Sequence, residues 1–157
     1  MLTSLTLRLA MPVAVVWANR QLAVIQQLGE PLTDEQLQDA TDAGVRFPEK
    51  VRVRVVNPVP LPVPTIFRSR MGRWGWVPDD VAGMAIGYGI HLHPYWGTSR
   101  EVLVHELAHV GQYERLGGIR GFLESYLREC LEFGYPNGPL EQEAIAVQRA
   151  FKFRDHV

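Results

Sequence analysis

Two histidines four residues apart, with a glutamate directly after the first, are the side chains of this sequence best suited to chemistry: His105-Glu106-Leu107-Ala108-His109. On a helix, positions i and i+4 lie one above the other on the same face. Both imidazoles then reach a single metal ion, and Zn²⁺ takes nitrogen ligands of this kind. Glu106 stands beside the first ligand, where a carboxylate can take a proton from water activated by the metal. The implied chemistry is zinc-dependent hydrolysis with Glu106 as general base.

A helix must carry the pentad. Thr98 as N-cap with Glu101 at N3 reads as a capping box. From Val102 to Val110 the run is apolar on nearly every side except at His105, Glu106 and His109. A helix apolar all round is a buried one. Buried polar groups without partners cost several kcal/mol, and a metal ion supplies partners.

A catalytic zinc site takes three protein ligands and keeps one position open. Downstream of the pentad, Glu114 is too close along the chain to fold back. A helix is expected over Ile119–Phe133, where Phe122, Tyr126 and Cys130, with Leu123, Leu127 and Leu131, repeat at spacings of four. Glu124 and Glu129 border that stripe and Glu132 faces away, so all three read as solvated. The segment Gly134-Tyr135-Pro136-Asn137-Gly138-Pro139 is a dense turn signal. The next helix starts with Pro139 at N1 and runs to Phe151, with Leu140, Ala144, Val147 and Phe151 as its buried stripe. Glu143 borders this stripe. Glu141 projects about 200° away from Glu143, at roughly 100° per residue, so only one of them can face the metal. Facing favours Glu143 as third ligand, with Glu141 as the alternative.

The pentad followed by a helix carrying Glu-Ala resembles the gluzincin branch of zinc metallopeptidases. More narrowly, Leu103–Glu114, with a Gln-Tyr pair after the second histidine, is similar to small bacterial HExxH domains of poorly characterised function. The resemblance spans roughly Val51–Phe151. It implies zinc ligation by His105, His109 and Glu143, with Glu106 as base, a peptide or protein substrate and a zincin-like α+β fold. The metzincin extension is absent, since Gln112 stands where it needs glycine and Arg115 where it needs a third histidine. A catalytically silent zinc-binding interaction module is the alternative reading. An intact Glu106 argues against it, because a structural zinc needs no base.

Composition fits a compact enzyme. With 157 residues, 46% apolar and 21% charged, the chain is long enough for one domain over 1–157, with N-terminal helices in 1–47 and a metallopeptidase-like core in 48–157. A net charge of −1 points to neither nucleic acid nor an anionic membrane as partner. The single cysteine, Cys130, excludes an intrachain disulfide and reads as a small core hydrophobe, leaning towards a reducing, cytoplasmic setting. The apolar stretch Leu9–Ala18 ends at Asn19-Arg20, short of the ~20 residues of a membrane span. A secretory signal is the minority reading of it. Val15, Ala18, Leu22 and Ile25 continue through any cleavage point at helical spacing, as an amphipathic helix does.

The remaining elements complete an α+β layout. Asp34–Ala43 reads as a helix with Thr33 as N-cap and Gly44 at its end. Lys50–Val56 alternates basic and apolar residues as a half-exposed strand, arginines outward. Prolines at 58, 60, 62 and 64 mark an extended connector. Ser69–Pro78, with Trp74 and Trp76, reads as a loop that either covers the cleft or pins itself to the body. Met84–His93 reads as a strand whose glycines mark close approach of other groups, with His91 and His93 on the surface or the cleft rim. By resemblance to zincins it would be the edge strand beside the active helix, where an extended peptide adds.

Overall fold

A computed structural model describes residues 2–61, 81–95 and 98–154; the side chains of 2–6 and 153–154 are outside that description, as are the loop at Ser69–Pro78 and the last two prolines of the connector. The first element is a long helix, α1 (Leu2–Leu28), which tolerates Pro12 in its interior. The spacing read from its sequence sets its inward face, with Ala18 and Ile25 fully buried. The chain then turns through β1 (Glu30–Pro31) into α2 (Asp34–Asp42). Thr33 caps α2 through a full capping box with Gln36, and Gly44 follows with φ of 95°, a conformation that glycine adopts without a Cβ penalty.

A short 3₁₀ turn at Pro48–Lys50 leads into β2 (Arg52–Val55). Its arginines are half-buried and Val55 is exposed. Arg52 folds back to donate to the carbonyls of Glu49 and Val51. The expected strand over Met84–His93 is a hairpin instead. β3 (Gly83–Ile86) and β4 (Gly89–Leu92) pair antiparallel around Gly87-Tyr88, and Gly87 takes φ of 59°. A glycine with positive φ beside a second turn residue is the local chemistry of a two-residue hairpin loop. The sheet has the order β1-β2-β4-β3, with β2 and β4 parallel. Only the first half of the expected strand, β3, is therefore an outer strand, and β4 lies inside the sheet.

Three helices complete the described residues: α3 (Arg100–Arg115), α4 (Ile119–Phe133) and α5 (Pro139–Arg154). The molecule is thus α+β, with five helices and a four-stranded mixed sheet among the described residues. Ser99, not Thr98, caps α3 and accepts from the Val102 amide. Glu101, expected to complete a capping box, pairs with Lys152. Leu103, Leu107 and Val110 of α3 pack with Ile90 and Leu92 of β4, Val51 and Ala40 as one buried cluster. A bidentate pair of Arg100 with Asp39, at 2.7 and 2.8 Å, ties the start of α3 to α2. Glu114 accepts from the backbone amides of Arg46 and Phe47 and from the Tyr88 hydroxyl, anchoring the far end of α3. No helix among the described residues is long and apolar enough to cross a membrane.

His91 departs from its expected surface place. It is fully buried in β4, because β4 is central and α1 covers it; Nε2 stands 3.2 Å from Gln21 Oε1 of α1. Nδ1 has no hydrogen-bond partner among the described residues. Burial, helped by the nearby Arg54 charge, pushes the imidazole pKa down from 6.5 to about 4. A folded pKa below the unfolded one means that the unfolded chain binds more protons between those values. The contribution is therefore complete above pH 6.5 and is lost as pH falls towards 4. His91 alone is expected to remove about 3 kcal/mol of stability over that window. Urea unfolding of wild type and His91→Gln at pH 7 and pH 4.5 checks this. The variant should show the shallower loss, and parallel losses would rule out His91 as a source.

Candidate metal centre

His105 and His109 lie one turn apart on α3, as the i,i+4 spacing requires, and their Nε2 atoms are 3.2 Å from each other. A carboxylate meets both. It belongs to Glu141, in the first turn of α5, with Oε1 3.1 Å from His105 Nε2 and Oε2 3.4 Å from His109 Nε2. Donor atoms of the three residues all lie within 4.8 Å of one another. Ligands ~2.0–2.1 Å from a tetrahedral zinc ion are about 3.3–3.4 Å apart. The separations and the nitrogen-nitrogen-oxygen donor set thus fit a zinc ion, and this group can hold a metal.

Glu143, expected as the third ligand, is placed elsewhere. It is exposed and makes a bidentate pair with Arg115, both bonds 2.9 Å. The rotation of α5 explains the difference. Its inward residues are Leu140, Glu141, Ala144 and Phe151, with Ile145, Val147 and Gln148 half-buried. The expected stripe is buried at Leu140, Ala144 and Phe151 and falls short only at Val147, so the inward face extends on the Glu141 side of it and not on the Glu143 side. Glu141 and Gln148 are seven residues apart, two turns of one face. That pair of polar residues in register with Ala144 and Phe151 was the available signal. Neither His91 nor His93 joins the group: His91 is covered by α1, and His93 Nδ1 accepts from the Tyr95 amide. Of the α4 glutamates, Glu124 pairs with Arg128, whereas Glu129, expected in solvent, accepts from the Leu140 amide at 2.7 Å and so caps α5.

Around the donors stands a set of side chains without a chemical motif of its own. Tyr126 of α4 donates to Glu141 Oε2 at 2.8 Å, and its ring meets His109 edge-on. Phe122 packs edge-on against the same imidazole. Gln112 Oε1 is 2.8 Å from His109 Nδ1, and Gln148 Oε1 is 3.2 Å from His105 Nδ1. Burial opposes ionisation of Glu141, but the contacts to His105 and His109 outweigh it and hold its carboxyl well below the usual range. Burial likewise opposes a charged His109. The neighbouring Glu141 and Glu106 carboxylates, with Gln112, reverse that and raise its pKa.

Glu106 is buried on the same helix but stands outside the converging donors. Its carboxylate accepts from the Ala85 backbone amide of β3. Gly83 leaves the space it occupies: a Cβ there would come within 2.8 Å of Glu106 Oε1. Burial raises the Glu106 pKa against the opposing pull of His109 and His105. A carboxyl tuned upwards is a stronger base when ionised, as proton transfer near neutral pH requires. Cys130, half-buried on α4, has its thiol pushed up to about 11 by burial, away from the thiolate form that a nucleophile needs.

Comparison with models of known protein families, with curated proteins and with solved structures found no match to this chain.

Proposed function

We propose that this protein is a zinc-dependent hydrolase, and that its substrate is a peptide bond. The observation that carries the reading is the meeting of His105, His109 and Glu141 at zinc-like separations, with a second, non-ligating carboxylate, Glu106, buried on the helix that bears the histidines. A site built for stability alone would prefer four closed protein ligands and would have no use for a buried base. Zinc, when held there, acidifies water and polarises a carbonyl group.

The residues of this chain divide the remaining work. His105, His109 and Glu141 hold the ion. Tyr126 orients the Glu141 carboxylate by donating to one of its oxygens. Glu106 takes the proton from the attacking water and returns it to the leaving amine, its orientation set by the Ala85 amide. A peptide is favoured as substrate because β3 bonds only to β4 among the described residues and holds Glu106 against it. An extended chain adds to such an outer strand through its backbone and brings a carbonyl towards the base. This layout supports a zincin-like reading of the fold, resembling the gluzincins in its histidine pair and downstream glutamate.

Purified protein is expected to contain about one Zn²⁺ per chain and to cleave members of a random peptide library, with cleavage stopped by a chelator and restored by zinc. Elemental analysis and mass spectrometry of the digested library check this. Absence of bound zinc would overturn the reading. Zinc retention with no cleavage of any peptide would replace it with a zinc-binding module.

A further inference from the structure

Gln112 is fully buried at the end of the active face of α3, three residues beyond His109. Its side chain makes two contacts of different kinds. Nε2 donates to the Leu140 carbonyl at 2.8 Å, and Oε1 faces His109 Nδ1 at 2.8 Å. A backbone carbonyl only accepts, so the amide cannot be turned the other way round: nitrogen must face Leu140 and oxygen must face His109. An amide oxygen also only accepts, so His109 Nδ1 must carry the hydrogen. In the neutral ring Nε2 then carries the lone pair, and it faces His105 Nε2 and Glu141. Leu140 precedes Glu141 in the first turn of α5, so the same side chain also fastens the backbone that carries the third donor.

We propose that Gln112 is a positioning residue for the metal centre, selecting the His109 tautomer that ligates through Nε2 and locking the Glu141 turn of α5 to α3. The inference rests on the zinc reading given above. Nothing in the sequence motif requires it, because the pentad ends at His109. The partner that orients the second histidine is a neutral amide rather than a carboxylate, which leaves the ligand set with the single negative charge of Glu141. Gln148 repeats the arrangement on His105, with Oε1 3.2 Å from Nδ1. Each imidazole of the pair therefore has its own amide partner, from α3 for His109 and from α5 for His105.

Two substitutions separate the two contacts. Gln112→Leu removes both. Gln112→Glu keeps an acceptor for Nδ1–H but turns an oxygen towards the Leu140 carbonyl, so it retains the tautomer and loses the lock. Zinc affinity, measured by competition with a chromophoric chelator, is expected to fall roughly 10–100-fold in Gln112→Leu and by less in Gln112→Glu. Proton–nitrogen NMR of the imidazole rings in the zinc-loaded protein supplies a readout that general loosening would not mimic. In Gln112→Leu the His109 Nδ1–H signal should move and exchange faster with solvent, while that of His105 stays in place. In Gln112→Glu both should persist. Zinc affinity within about twofold of wild type in both variants, or an unmoved His109 signal in Gln112→Leu, would overturn the assignment while leaving the zinc site intact. A wild-type protein that takes up no zinc would instead remove the reading on which it rests.

Discussion

Glu106→Gln is expected to keep its zinc and to lose hydrolysis by a factor of roughly 10²–10⁴, the usual worth of a positioned acid–base group. The substitution preserves size, so the space left by Gly83 remains filled and the Ala85 amide still finds an oxygen to donate to. Only the ability to accept a proton disappears. Zinc content should be untouched because Glu106 is not among the converging donors. Paired measurement of metal content and of cleavage of a peptide that wild type hydrolyses decides the matter. A variant that stays active has its base elsewhere. A variant that loses zinc along with activity makes Glu106 a ligand.

The second large effect separates two glutamates that are nearly neighbours. Glu141→Ala is expected to weaken zinc binding by roughly 10²–10³-fold, one ligand's share when ~10–16 kcal/mol is spread over about four. Glu143→Ala is expected to stay within about twofold of wild type, since it loses only an exposed pair with Arg115 of the kind worth ~0–1 kcal/mol. Glu141→Gln guards against misreading a folding defect, because it keeps an oxygen for the Tyr126 hydroxyl and offers the metal a neutral amide. Chelator competition on the three variants gives the ranking. An order with Glu143 above Glu141 would mean that α5 is rotated by about half a turn from its place in this structure. Equal, small losses would move the third ligand off α5 altogether.

The contrast between those two residues shows how far local pattern reaches. The amino-acid sequence alone determined where the helices α2, α4 and α5 run, because capping residues, glycines and prolines act within a turn of where they stand. It determined equally that His105 and His109 share a face and that α3 is buried, since both follow from helical spacing and from an unbroken apolar run. The inward face of α1 was legible at Ala18 and Ile25 for the same reason.

Tertiary structure decided whatever depended on a second element. The rotation of α5 is set by what faces it, and at this place the neighbour is a polar cluster on α3, so the side turned inward carries Glu141 and Gln148 beside the apolar Leu140, Ala144 and Phe151. A count of hydrophobic residues finds the stripe but not which of its two flanks turns inward. The burial of His91 depended on α1 crossing a strand that pairing with β2 and β3 makes central, and neither is visible in the alternation of its neighbours. Gly89 was readable as a site of close approach, but only the fold names what approaches, Ile25 of α1, and only the fold shows that Gly83, outside the expected strand, makes room for the Glu106 carboxylate. Spacing within one helix is a property of the backbone, whereas which groups converge from separate helices is a property of packing, and the third donor belongs to the second kind.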